Sequence, residues 1–199
     1  MAVQIQSCVR RVRQRLIACV GVLVVAAMPS VDSASVAAEQ PGAARPSYVV
    51  DLERAYGPPS QAGFGSAVFF DVLPPEADLS EAALGTYRHF VGPLWERFGE
   101  QGWLEAWKEV HSRGNSGPRD VVNELRGISD PDARLSVPMI LDNIEGAEAA
   151  RAALSAAFDD PSVTELRAYN IGDGGAMSGL LLAGRRDNGE TTQLVFLLD

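Results

Sequence analysis

The stretch VTELRAYNIGDGGAMSGLLLAGRRDNGETTQLVFLLD, residues 163–199, decides how the rest of the chain is read. Its first segment, 163–171, is rich in β-formers and runs into Gly172-Asp173-Gly174-Gly175. Glycines beside an aspartate supply the positive φ values that tight hairpin turns need. A second apolar segment, 177–185, leads to Asn188-Gly189, a dipeptide that favours two-residue hairpin turns. A third segment follows at 191–198. The pattern predicts a three-stranded antiparallel meander.

The last two strands are apolar on both alternating sides. Leu180 and Leu182 oppose Leu181 and Ala183, while Leu194, Phe196 and Leu198 oppose Val195 and Leu197. A strand wetted on one face alternates apolar with polar residues. These strands therefore require cover on both faces, from upstream helices or from a partner chain.

Upstream, residues 65–73 (GSAVFFDVL) read as another strand, closed by Pro74-Pro75, and make a fourth member of the sheet at an edge or between others. Helical spacing fills the interval. A short helix or strand begins near Ser47, and a helix opens at 78–81 with Ser80 as its cap. Leu84, Tyr87, Val91, Trp95 and Phe98 continue the helical period, with a kink or a second helix at Gly92-Pro93 and a further break at Gly99 and Gly102. Trp103, Trp107, Val110 and His111 predict another amphipathic helix, and Val121, Val122, Leu125 and Ile128 one more. Asp130-Pro131-Asp132 starts a helix that Pro138 shortens, leaving 139–141 as helix or strand. An alanine-rich helix spans 147–158. Segregated helices and strands predict an α+β fold: an antiparallel sheet of about four strands, one N-terminal and three in the C-terminal meander, covered by several helices.

Residues 1–37 read as a secretory signal peptide. Arg10, Arg11, Arg13 and Arg15 form a basic region, residues 16–28 an uncharged apolar run, and Ser35-Val36-Ala37 a small-residue cleavage site. A retained anchor is the alternative, but the run falls short of the roughly 18 residues a spanning helix needs, and Pro29 ends it. The expected organisation is a signal at 1–37, a flexible leader at 38–46 and a single α+β domain at 47–199. The expected location is periplasmic or secreted, with no stable membrane span after cleavage. Both cysteines, Cys8 and Cys19, lie in the signal, so the remainder has no disulfide, thiolate nucleophile or cysteine metal site.

The chain carries 17 basic and 26 acidic side chains, a formal net charge of −9. Residues 1–37 hold four of the basic and one of the acidic groups, so the remainder carries 13 against 25, a net −12. Lys108 is its one lysine. An acidic body lacks the clustered Lys and Arg that nucleic-acid binding requires.

Candidate sites are few. Trp95, Trp103 and Trp107 form the densest aromatic set and are the candidate ligand- or partner-binding residues; at helical spacing the same residues fill a core. His89 and His111 are the two histidines, and no His-Glu-x-x-His or Cys/His cluster accompanies them. The 172–179 glycine loop lacks the Gly-Lys-Ser/Thr ending of a phosphate loop and leads into a strand. Acidic pairs at Asp130/Asp132, Glu145/Glu148 and Asp159/Asp160 could serve acid–base chemistry, while helix starts account for Asp130 and Glu148. No catalytic motif, cofactor signature or metal set emerges. The leading expectation is an exported, non-catalytic domain binding a partner protein or a small ligand. The alternative is a small exported hydrolase using Asp or Glu with a histidine. A structural envelope protein without a ligand is the third.

Overall fold

A computed structural model describes residues 45–114 and 117–199. The expected signal peptide and most of the expected leader lie outside the described residues. Along the chain, α1 (Ser47–Tyr56) precedes β1 (Gly65–Val72). Then come α2 (Leu79–Val91), α3 (Leu94–Phe98), α4 (Glu100–Ala106) and β2 (Lys108–Arg113). Three helices, α5 (Val121–Arg126), α6 (Pro131–Leu141) and α7 (Ala147–Phe158), lead into β3 (Val163–Gly172), β4 (Ser178–Arg186) and β5 (Glu190–Leu198).

The meander forms the middle of a five-stranded sheet ordered β1-β5-β4-β3-β2, antiparallel at every pairing. Its hairpins form where turn chemistry allows. Gly189 adopts φ 86°, and in the other hairpin the Asp173 carboxylate accepts from Gly175 N at 2.8 Å and Met177 N at 3.0 Å. The register lines residues into rows across the sheet. Ala168, Leu182, Leu194 and Val68 form one row, and Tyr169, Leu181, Val195 and Ala67 form the next row on the opposite face. Because strand side chains alternate, these rows belong to two separate cores.

Helices cover both faces. On one, Leu52 of α1, Leu125 of α5, Ile140 of α6 and Leu154 and Phe158 of α7 join Val68, Leu166, Leu182 and Leu194. On the other, Leu79, Ala83, Tyr87 and Phe90 of α2, Trp95 of α3 and Trp103 of α4 join Tyr169, Leu181, Val195 and Leu197. The α+β architecture and the covered strands therefore follow the apolar pattern of the meander. Among the described residues, no helix is long and apolar enough to cross a membrane.

Several local expectations are corrected. The sheet has five strands rather than about four, because residues 108–113 are β2 and not the tail of a helix. Their side chains show no strand pattern; pairing with β3 supplies the structure, with a bulge between Glu109 and His111. Asp78, not Ser80, caps α2, its carboxylate accepting from Ser80 N at 2.6 Å and Glu81 N at 3.2 Å. These bonds, Glu81 N first, hold the Asp78 carboxyl below the usual carboxylate range. Gly102 sits inside α4 rather than at a break, where a Cβ would meet Asp173 O at 2.8 Å. Pro138 lies within α6, whose helix continues through 139–141. Gly92-Pro93 separates two successive helices, as one of the two readings has it.

Candidate functional site

Among the described residues, helical cover stops short of the sheet margin in two places, one on each face, leaving a cleft at each. Each contains a buried carboxamide whose oxygen lacks a hydrogen-bond partner among the described residues.

The first cleft, about 490 Å³, lies between the start of α6, the β2–β3 end of the sheet and the β3–β4 hairpin. Its floor belongs to the row Lys108, Asn170, Leu180 and Phe196. Asp130 caps α6, one carboxylate oxygen accepting from Asp132 N and Ala133 N at 3.1 Å each. Its other oxygen accepts from Lys108 Nζ at 2.8 Å. The bond from Lys108, reinforced by the Ala133 N–H, holds Asp130 below the usual carboxylate range, and the bond to Asp130 raises Lys108 above its ordinary value. Glu105 and Asp132 also line the cleft, so its lining holds three carboxylates and one lysine, of which Asp130 alone is paired with Lys108. Leu135, 72% exposed, and Met177 add apolar wall.

Asn170 is 8% exposed. Its Nδ2 donates to Ala106 O at 3.1 Å, which fixes the amide, while Oδ1 has no partner. A buried acceptor left unpaired costs about 1–3 kcal/mol and calls for an explanation.

The second cleft, about 360 Å³, lies between α2 and the β1 edge of the sheet. Its walls are Phe69, Phe70, Asp71, Leu73, Ala82, Thr86 and His89, with Gly85 on the helix and Gln193 on the floor. His89 meets Phe69 edge to face, the ring centroids 5.9 Å apart. Gln193 stands between Phe69 and Ala183 in its row, is 4% exposed, and leaves Oε1 unpartnered.

The tryptophans lie elsewhere. Trp95 and Trp103 are buried and stacked at 6.0 Å, and Trp107 is half-buried and stacked on Tyr169 at 4.3 Å. Tyr87 packs against all three and ties this cluster to the sheet, donating to Gly172 O at 2.9 Å and accepting from Gly172 N at 3.0 Å. Burial pushes the Tyr87 phenol far above its ordinary pKa. These rings build the α2 face of the core, and none of the three tryptophans lines either cleft.

The histidines stay apart. His89 borders the second cleft with Asp71 as its one carboxylate neighbour there. His111 Nε2 lies 3.1 Å from Glu124, which also accepts from Arg113 Nε at 2.7 Å. Arg113 continues to Asp159 at 3.0 Å and to Phe158 O, and Asp159 accepts from Val121 N at 2.8 Å. This network ties edge strand β2 to α5 and α7 and borders neither cleft. Among the described residues, neither cleft has a histidine and two carboxylates in its lining.

The clefts escape sequence reading because each is assembled from distant segments. One signal was present: Asn170 interrupts the run Ala168 to Ile171, and Gln193 adjoins the apolar run Leu194 to Leu198. Compared with models of known protein families, with curated proteins and with solved structures, the chain matches none of them.

Proposed function

We propose that the protein is an exported, periplasmic or secreted, binding domain that acts without catalysis and takes a small amine-bearing cation in the α6 cleft. The observation that carries the reading is a cleft lined by Glu105, Asp130 and Asp132 against Lys108 alone, with Asn170, whose buried oxygen is unpartnered among the described residues, in its lining. An acceptor without a donor suits an N–H group, and an excess of carboxylates suits a positive charge. Leu135 and Met177 suit a short alkyl stem. Among the described residues, no three metal-ligating side chains stand together, so an organic cation fits the donor set better than a metal ion. The acidic remainder of the chain adds long-range attraction for a cation.

Calorimetry with 1,4-diaminobutane and with 1,4-butanediol tests the reading. The diamine is expected to bind and the diol is not. Asp132→Asn is expected to weaken the diamine about tenfold, the loss of one charge-assisted hydrogen bond. Equal behaviour of diamine and diol, or an Asp132→Asn protein with unchanged affinity, overturns it. Export is tested separately by mass spectrometry of the mature protein, where a chain beginning near Ala38 agrees and an intact Met1 refutes.

A further inference from the structure

Gln193 occupies a costly position. It lies in the second strand of the sheet, between Phe69 and Ala183, on the face built from Leu181, Val195 and Leu197. A leucine there would remove a buried, unpaired oxygen at little cost in shape. Gly85 lies opposite, inside the 13-residue helix α2, where glycine is a poor helix former. A Cβ added at Gly85 meets nothing within 4 Å, so the helix surface there faces open space. Two locally unfavourable residues, one on the sheet and one on the helix, thus border the same cleft.

Beside Asp71 and Thr86, the remaining walls are apolar and fit a flat occupant. Phe69 and His89 meet edge to face, and Leu73 and Ala82 add aliphatic surface. Apolar clefts with a few placed polar groups are the usual form of a small-molecule site. The Gln193 oxygen is buried in this structure, and because the last torsion of a glutamine is broad, rotation of the amide can bring the oxygen to the cleft.

We propose that the cleft between α2 and β1 binds a small planar ring compound that donates one N–H to Gln193 Oε1 and lies against Phe69 and His89. This site is independent of the cation cleft on the opposite face.

The test is NMR titration of the full chain with indole and with indene, which keeps the fused ring skeleton but replaces N–H by CH2. Indole is expected to bind saturably, moving the Gln193 side-chain amide and the His89 ring signals, about tenfold more tightly than indene, the difference of one net hydrogen bond. Gln193→Leu is expected to lower indole to the level of indene, with no fall in Tm. Gly85→Leu is expected to abolish binding of both while Tm rises, which separates a filled cleft from a damaged fold. Equal binding of the two rings to the wild type overturns the proposal. So does an unchanged preference for indole in Gln193→Leu, or the absence of saturable shifts with either ring.

Discussion

On one face of the sheet Leu154, Phe158, Ile140 and Leu182 meet through largely aliphatic surfaces; on the other, Tyr87, Trp95, Trp103 and Tyr169 meet ring against ring. The difference follows from the cover available. Four helices lie on the first face, and the alanine-rich α7, with Ala150, Ala153 and Ala157 buried, packs closely there. The second face has one long helix, α2, and two short ones of five and seven residues. Short helices bring little surface, so large rings fill the space, since each aromatic buries more area than an aliphatic side chain. Similar coverage is thus reached by many small contacts on one side and a few large ones on the other. The clefts lie where each kind of cover runs out.

The contrast can be broken most directly by truncation in each core. Trp103→Ala is expected to cost about 3–5 kcal/mol and Leu154→Ala about 2–5 kcal/mol, with tryptophan the larger. Urea denaturation measures both, and a smaller loss for Trp103→Ala would mean that the rings fill space without carrying the fold. A second comparison concerns Tyr87, whose hydroxyl exchanges two hydrogen bonds with Gly172. Tyr87→Phe keeps the ring but strands a buried N–H and C=O, and is expected to cost about 1–3 kcal/mol. Loss of amide-exchange protection at Gly172 would locate the effect.

The smallest effect belongs to the aliphatic face, at the Asp130 cap. Asp130→Ala is expected to cost about 1 kcal/mol through the lost helix cap. The folded carboxyl titrates below its unfolded value, so its contribution is complete above that unfolded value, about 3.9, and is lost as pH falls through the lower folded pKa. Lys108→Met is expected to move the Asp130 titration upward, read by carboxyl carbon NMR. An unmoved titration would mean that the backbone N–H groups of α6, and not the lysine, set its acidity.

Much of the fold is legible in local residues. The hairpins are written in Gly172-Asp173-Gly174-Gly175 and Asn188-Gly189, the helix at 147–158 in its alanines, and the need for cover in Leu180 to Ala183. Strand β2 is not legible, because Lys-Glu-Val-His-Ser-Arg has neither alternation nor β-rich composition, and Trp103, Trp107 and Val110 share helical spacing with the segment before it. An edge strand needs one partner, and β3 provides it from more than fifty residues away. The tryptophans are legible as an aromatic cluster whose helical spacing fills a core, and Trp95 and Trp103 are buried there; which helix lies over them is not legible.

The sequence by itself determined the meander, the α+β class and the two-sided burial of its strands, because turn chemistry and alternation act between near neighbours. Only the tertiary structure decided that Asn170 and Gln193 end on opposite faces, each in a cleft and each without a donor. Whether a buried amide is satisfied depends on groups that register and helix packing bring from far along the chain, and no local pattern encodes their absence.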